Sequence, residues 1–141
     1  MLKNIPKNLS PALLEVMMSM GHGDELVLAD GNFPAAEYGK RCIRADGLGI
    51  PELLSSILTL LPLDTYVGAP VALMELVSGE TYKPVIWDEY KKILSESCGD
   101  VKIEQVERFA FYERAKKAFA VVATGEEAIY ANIILKKGVV K

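Results

Sequence analysis

The amino-acid sequence predicts an α/β fold, in the form of a three-layer α/β/α domain with a largely parallel central sheet. Segments with helical spacing of apolar residues alternate along the chain with short runs that are continuously apolar. Such runs are typical of parallel strands that helices cover on both faces. The chain has 141 residues, half of them apolar, and no repeat, low-complexity tract or linker. We therefore interpret residues 1–141 as a single domain with its own core.

The first predicted helix has clear boundaries. Ser10 can cap its amino terminus, and Pro11 suits the first helical position because no backbone donor is needed there. Gly21 and Gly23 are predicted to end the helix, since glycine tolerates the left-handed conformation that closes many helices. One face of the helix collects four apolar side chains, which are Leu13, Leu14, Met17 and Met20.

The other elements follow from the same patterns. Residues 25–30 form an apolar run that stops at a carboxylate, which predicts a buried strand. The remaining predicted elements, in chain order, are a helix that begins at Pro51, a strand at 69–77, a helix over 84–96 packed through Trp87, Tyr90 and Leu94, a half-buried strand at 101–106, a helix over 109–117, and strands at 118–123 and 130–135. Sheets of this kind bind ligands where strands end and loops begin, so we expect a site at that edge.

The composition excludes several classes of function. The net charge is −3 and the basic pairs are scattered, so we expect neither a nucleic acid nor an anionic membrane surface as partner. The most apolar stretch, residues 53–63, is interrupted by polar residues and is shorter than the roughly 20 residues of a membrane helix. The first residues also lack the apolar run of a secretory signal.

The two cysteines argue against a metal centre. Cys42 and Cys98 lie far apart, and neither has a second thiol or a histidine near it in the sequence. A zinc site needs about four such ligands, usually in closely spaced pairs. Two unpaired thiols also favour a reducing compartment, so we expect a cytoplasmic location and no metal.

The single histidine of the chain has an unusual setting. His22 lies between two glycines in the segment Gly-His-Gly-Asp-Glu at residues 21–25, on a turn between a helix and a strand. Histidine is the side chain whose ordinary pKa lies near neutrality, which suits it to proton transfer. From the residues alone, His22 is either a catalytic group or an exposed structural one. Asp30, at the end of a strand, either holds a hydroxyl-rich ligand or caps the next turn, and Arg44 and Asp46 are expected to form a local polar contact.

Other catalytic signatures are missing from the sequence. The glycines around His22 lack the spacing of a phosphate-binding loop or a dinucleotide fingerprint, and they stand at a helix-to-strand turn. No Gly-x-Ser-x-Gly nucleophile segment occurs. These observations leave proton chemistry without metal or cofactor, or binding without chemistry.

Six segments together resemble the L-fucose mutarotases over nearly the whole chain, with the spacing between them kept. The segments are Gly-His-Gly-Asp-Glu at 21–25, Ala-Asp at 29–30, Arg-Ala-Asp-Gly at 44–47, Arg-Phe-Ala-Phe-Tyr-Glu-Arg-Ala at 108–115, Thr-Gly-Glu at 124–126 and Tyr-Ala-Asn-Ile-Ile-Leu-Lys-Lys-Gly-Val at 130–139. The related ribose pyranases share the histidine turn and the Tyr-Ala-Asn segment. They carry a histidine where this chain has Arg108, and this difference favours the fucose type.

The resemblance implies a cofactor-free isomerase that interconverts the ring anomers of a monosaccharide, with L-fucose as the expected substrate. It also implies a homo-oligomer, ring-like in some relatives, with sites near the subunit contacts. In this family's pattern His22 is the general acid, and five residues are candidates for sugar contacts, namely Asp30, Arg108, Tyr130, Asn132 and Tyr112.

Three alternatives stay open at this point, namely a ribose-type pyranase, a non-catalytic sugar-binding subunit and a purely structural oligomer. The base for the anomeric proton is also open among a water, Asp30 and a tyrosine hydroxyl. Aromatic residues such as Phe33, Phe109 and Tyr112 belong to a protein core more often than they form a platform for a sugar ring.

Overall fold

One mixed sheet of six strands runs through the computed structural model, which describes residues 1–141. The strands are β1 (Glu25–Ala29), β2 (Cys42–Ala45), β3 (Val71–Met74), β4 (Ile103–Val106), β5 (Ala120–Thr124) and β6 (Ile133–Lys136), and their order across the sheet is β2-β5-β1-β6-β3-β4. The helices are α1 (Pro11–Ser19), α2 (Ala35–Tyr38), α3 (Ile50–Leu58), α4 (Val85–Cys98) and α5 (Arg108–Lys117). No helix has the length and apolarity needed to span a bilayer.

Strand β6 runs against the rest of the sheet. The pairs β1/β5, β2/β5 and β3/β4 are parallel, whereas β6 is antiparallel to both β1 and β3. The prediction of a largely parallel sheet is therefore confirmed, with one reversed strand. The reversal brings the residues that precede β6 to the edge where the other five strands end, because antiparallel neighbours place opposite termini side by side.

Helices cover both faces of the sheet, as predicted. In β1, Leu26 and Leu28 belong to a core of 24 residues that includes the apolar faces of α1, α3 and α4. Val27 and Ala29 point the other way, into a core of 12 residues shared with α2 and α5. Alternate residues of one strand serve the two layers because side chains of a strand alternate between its faces.

Helix α1 begins as the sequence predicts and ends differently. The Ser10 hydroxyl accepts the Leu13 N–H at 3.1 Å, and Pro11 is the first helical residue. The helix ends at Ser19, and the next residue, Met20, is in an extended conformation. Gly23, with φ of +87°, serves the turn that follows and does not close the helix. Leu13 and Met17 are buried as expected, Leu14 is half-buried, and Val16 joins the buried face.

Two elements between residues 35 and 45 escape the sequence patterns. Helix α2 is a single turn in which only Ala35 is buried, so it shows no helical period. Strand β2 is an outermost strand of the sheet, with a neighbour on one side only, and none of its residues is fully buried. The predicted strands at 69–77 and 130–135 are also too long, since only Val71–Met74 and Ile133–Lys136 pair in the sheet.

Candidate active site

A pocket of about 260 Å³ opens at the edge where the parallel strands end. Five of the six predicted site residues line it together, namely Asp30, Arg108, Tyr112, Tyr130 and Asn132. They come from three segments that are far apart in the sequence, and the reversed strand β6 brings the last two beside the end of β1. The lining of the pocket combines charged and hydrogen-bonding groups with apolar side chains.

Asp30 is the buried acid of the pocket. It follows directly after β1 and is only 6% exposed. Its carboxylate accepts the Asn32 N–H at 3.0 Å, and its own N–H donates to Asn132 Oδ1 at 2.8 Å. Burial raises the pKa of the Asp30 carboxyl, against backbone N–H groups that lower it, and the charge of Glu126 adds to the rise. A carboxyl in this setting suits hydrogen bonding to a sugar hydroxyl.

Helix α4 holds the segment that carries Tyr130 and Asn132. The Trp87 indole N–H donates to the Tyr130 carbonyl at 2.8 Å, and the Tyr90 hydroxyl donates to the Ala131 carbonyl at 2.6 Å. Tyr130 has a φ of +58°, which is unusual for a residue with a side chain. The two hydrogen bonds fix this backbone, and the Asn132 amide then bonds the backbone of Asp30. The packing predicted for Trp87 and Tyr90 therefore has a second role, because it shapes the pocket.

Arg108 brings a free positive charge to the pocket. It is the first residue of α5, after Glu107, whose carboxylate accepts the Ala110 N–H and caps the helix. The Arg108 guanidinium makes no ion pair within the chain and lies 4.6 Å from the centre of the Phe109 ring. A cation at a helix amino terminus is electrostatically unfavourable. Its presence there is consistent with binding a ligand rather than stabilising the helix.

Tyr112 belongs to an aromatic cluster that reaches the pocket. Its ring centre lies 5.6 Å from that of Phe33 and 5.5 Å from that of Tyr38. Phe33 also packs against the fully buried Phe111. Phe33 and Tyr112 thus belong to the core and line the pocket at once, whereas Phe109 is 62% exposed.

His22 lies at the opposite edge of the sheet. It precedes β1, while Asp30 follows it, and β1 alone spans about 13 Å. Its ring is 45% exposed, and its Nε2 lies 3.1 Å from Oδ1 of the buried Asp64. The ring also packs on Tyr66, with 5.4 Å between ring centres. Within one chain, His22 therefore does not join the five pocket residues.

Two of the sequence motifs have structural roles. Arg44 and Asp46 form an exposed ion pair with each other, which is the local contact expected for them. The Thr124 hydroxyl donates to the Ala29 carbonyl at 2.7 Å, and the Glu126 carboxylate accepts the Ile50 N–H at the start of α3. Gly125 separates these two residues and approaches the Asp46 carbonyl so closely that a Cβ would lie 2.0 Å from its oxygen. The Thr-Gly-Glu segment thus links the end of β1 to the start of α3.

Several pocket residues were missed by sequence reasoning. Met74 ends β3, Val77 lies in the following loop, and Ile129 precedes Tyr130. Asn32, which follows Asp30, also lines the pocket. Met74 could have been found from the rule that ligands bind at strand ends, but only once the order of the strands in the sheet was known.

The structure contains no group of three or more histidine, cysteine, aspartate or glutamate side chains arranged to hold a metal ion. Cys42 and Cys98 are both half-buried free thiols, and burial raises the pKa of Cys98. Neither cysteine lines the pocket.

Fold and pocket together define a small α/β protein that binds a compact polar ligand at the strand ends of its sheet. The chain belongs to the RbsD / FucU transport protein family, whose sequence profile matches residues 3–140. The resemblance to the L-fucose mutarotases is therefore confirmed at the level of the family.

Three relatives illustrate the similarity. The fucose mutarotase of Homo sapiens is 56% identical over 144 residues, covering 98% of this chain and 94% of that protein. The L-fucose mutarotase of Actinobacillus pleuropneumoniae serotype 5b (strain L20) is 52% identical over 140 residues, covering 99% and 97% of the two chains. The crystal structure of the Streptococcus pneumoniae fucose mutarotase in complex with L-fucose superposes with a TM-score of 0.96 at 55% identity, covering 99% of this chain and 100% of that one.

Proposed function

We propose that this protein is an L-fucose mutarotase, which interconverts the α- and β-anomers of the sugar by acid/base-assisted opening and closing of its ring. The observation that carries the proposal is the convergence of Asp30, Arg108, Tyr130 and Asn132 on one pocket at the strand ends. The similarity to mutarotases over nearly the full chain, one of them solved with L-fucose, supports the same function.

The pocket residues bind the hydroxyl groups of the sugar. The Asp30 carboxylate accepts a hydrogen bond from one hydroxyl, and the planar fork of Arg108 donates to oxygens of the sugar. Tyr130 and Asn132 hydrogen-bond further ring substituents, and Tyr112 lines the same pocket. The apolar side chains of the lining, such as Phe33, suit the carbon-bound hydrogens of the sugar.

His22 acts as the general acid. In ring opening the anomeric hydroxyl loses its proton, the bond between the anomeric carbon and the ring oxygen breaks, and His22 protonates that oxygen. The aldehyde then turns its other face, and the reverse proton transfers close the ring as the other anomer. Protons and electrons balance over the cycle, so no oxidant or other reactant is consumed. A positioned acid or base contributes about 10²–10⁴-fold to such a step.

A second copy of the chain supplies His22 to each pocket. The distance along β1 separates His22 from the pocket of its own chain, so a site that uses both must lie between subunits. The surface near each edge supports this arrangement, because both edges expose apolar side chains. Tyr66, which packs on His22, is exposed, and so are Val77 and Ile129 at the pocket. Such side chains are commonly covered in oligomers, and a ring of identical subunits would join the two kinds of edge.

We also propose that the whole chain forms one mutarotase domain. We propose a cytoplasmic location for it. Both cysteines are free thiols, which suits a reducing compartment.

Magnetisation transfer by NMR between the α- and β-anomer signals of L-fucose tests the proposal. The wild-type protein is expected to accelerate the exchange, and the His22→Ala variant is expected to lose most of the acceleration while retaining its affinity for the sugar. D-ribose serves as the comparison substrate. If neither sugar exchanges faster with wild-type protein than without it, the chain is a binding subunit and not a mutarotase.

A further inference from the structure

Tyr130 lines the pocket from a backbone conformation that is unfavourable for it. Its φ of +58° lies in the left-handed region, where the Cβ of an ordinary residue crowds the backbone. The backbone dihedral angles of a residue also decide which side-chain rotamers it can adopt. The place of the Tyr130 phenol in the pocket wall therefore depends on contacts that keep this backbone left-handed.

The contacts of the phenol itself are weak. The Val77 N–H donates to the Tyr130 hydroxyl at 3.5 Å, which is longer than an ordinary hydrogen bond. The centre of the Tyr82 ring lies 6.4 Å from that of Tyr130, near the far end of the range in which aromatic rings attract each other. The hydroxyl group is thus available to a ligand, and its position must come mainly from the backbone.

The carbonyl of Tyr130 carries the hydrogen bond that restrains this backbone. Because peptide units are planar, the direction of a carbonyl follows the dihedral angles of its own residue, and a partner that binds the oxygen restrains them. That partner is the indole N–H of Trp87, at 2.8 Å. Trp87 is the third residue of α4, and its half-buried ring packs against the larger core without lining the pocket. The Tyr90 hydroxyl holds the next carbonyl, that of Ala131.

We propose that Trp87 is a positioning residue, whose indole N–H holds the Tyr130 backbone in the left-handed conformation and so keeps the phenol in place for the sugar. This inference rests on the mutarotase function proposed above for its kinetic consequence. Trp87 contacts no reacting atom, and its effect on the reaction passes through Tyr130. Removal of the indole N–H should therefore lower kcat/KM only when the Tyr130 hydroxyl is present.

The indole N–H can be replaced with little other change to the protein. Trp87 is the only tryptophan in the chain, so an analogue supplied to a tryptophan auxotroph enters at this one position. Benzothienylalanine keeps the shape of the side chain and has sulfur in place of the N–H group, so the packing against the core is retained. The matched control is 5-fluorotryptophan, which retains the N–H.

A double-mutant cycle separates positioning from general damage. In the wild-type background, benzothienylalanine at position 87 is expected to lower kcat/KM for L-fucose anomer exchange by about tenfold, within the ~10²-fold that a misplacement of about 1 Å can cost. In Tyr130→Phe, which already lacks the hydroxyl, the same replacement should change kcat/KM by less than about twofold. The 5-fluorotryptophan control should stay within about twofold of its parent in both backgrounds.

The indole also provides a measurement that needs no catalysis. Nitrogen-15 labelling of tryptophan gives a single indole signal, that of Trp87. L-fucose is expected to shift this signal in the wild-type protein, with the same Kd as the sugar signals report, although Trp87 does not line the pocket. The shift should be much smaller in Tyr130→Phe. A purely structural role at the start of α4 predicts a signal that the sugar leaves unmoved.

Three results would overturn the inference, namely an unchanged kcat/KM in the benzothienylalanine protein, an equal loss in both backgrounds, or an indole signal that saturating L-fucose does not move. A protein that accelerates no anomer exchange would refute the mutarotase proposal instead. In that case the ring signals of Tyr130, identified by their absence in Tyr130→Phe, decide the inference, because they must move when the indole N–H is replaced.

Discussion

His22 and Asp30 lie at opposite ends of strand β1, although only seven residues separate them in the sequence. The same strand therefore presents the proposed general acid at one edge of the sheet and the proposed sugar-binding carboxylate at the other. If both act on one sugar, each site combines the His22 edge of one subunit with the pocket edge of the next.

Mixing two inactive variants is expected to restore activity. In His22→Ala the pocket is intact, and in Arg108→Ala the histidine edge is intact. After dissociation and reassembly of an equal mixture, about a quarter of the interfaces should combine the two intact halves, if subunits mix at random in a closed ring. Anomer exchange measured by NMR should then recover to a comparable fraction of the wild-type rate.

The control for this mixing experiment uses two defects in the same half. Arg108→Ala mixed with Asp30→Asn should stay inactive, because both residues belong to one pocket. If the mixture with His22→Ala also stays inactive while tagged subunits are seen to have mixed, the shared site is refuted.

The buried carboxyl of Asp30 gives a pH-dependent prediction for stability. Burial raises the pKa of Asp30 in the folded protein, so the folded state binds its proton more tightly than the unfolded state. The free energy of unfolding that this group contributes therefore falls as pH rises from about 4 through the folded pKa. Asp30→Asn removes this loss, so its stability relative to wild type should increase over that window while sugar binding weakens. Urea unfolding at several pH values measures both proteins.

Asp46→Asn is the control of opposite sign. The exposed Asp46 has its pKa lowered by the Arg44 guanidinium, so it contributes a little stability above its ordinary pKa. Its replacement should cost slightly more as pH rises. Parallel curves for the two variants would contradict the assignment of the rise to burial of Asp30.

The sequence predicts the layers of this fold better than its edges. Buried strands such as β1 and helices such as α1 carry strong apolar patterns, because their side chains face a core. Helix α2 and strand β2 carry weak ones, since most of their residues are half-buried or exposed. The reversal of β6 leaves no trace in its composition, because a strand buried on both faces is apolar in either direction.

The sequence likewise predicts only part of the candidate site. Its polar residues were found from their resemblance to a known family, and the structure brings five of them together. The separation of His22 from Asp30 was not anticipated, although the sequence places them on either side of one predicted strand. Asp64 carries no motif of its own, and its contact with His22 depends on how residues 62–64 pair with the end of β6.

Tyr90→Phe is expected to loosen the segment that carries the pocket residues. The Tyr90 hydroxyl is buried and donates to the Ala131 carbonyl at 2.6 Å. Without it, that carbonyl is left without its partner, at a cost of about 1–3 kcal/mol in the free energy of unfolding. Because Ala131 lies between Tyr130 and Asn132, KM for the sugar should rise as well. Urea unfolding and NMR exchange at several sugar concentrations measure the two effects.

A matched aromatic variant shows whether this effect belongs to the segment. Tyr82→Phe removes the hydroxyl of a more exposed tyrosine, whose ring stacks on Tyr130 at 6.4 Å between ring centres. It should leave the free energy of unfolding nearly unchanged, within about 0.5 kcal/mol. An equal loss of stability in both variants would show that the Ala131 hydrogen bond is not the cause.

Gly138→Ala is expected to disturb the contact between the Asp64 and His22 side chains, although the added Cβ would first meet the Leu63 carbonyl. A Cβ at Gly138 would lie 2.5 Å from the Leu63 carbonyl oxygen and 2.8 Å from the Asp64 Cα, so residues 62–64 must move away from the end of β6. Overpacking of this kind costs about 1–3 kcal/mol, so we expect the free energy of unfolding to fall by about 2 kcal/mol. Since Asp64 moves with the segment, the NMR signals of His22, the only histidine, should change while the pocket still binds sugar.

Gly47→Ala is the control, because nothing lies within 4 Å of a Cβ there. This variant should leave both the NMR signals of His22 and the free energy of unfolding nearly as in the wild type. An unchanged histidine signal in Gly138→Ala, together with a normal free energy of unfolding, would mean that residues 136–138 do not hold Asp64 against His22.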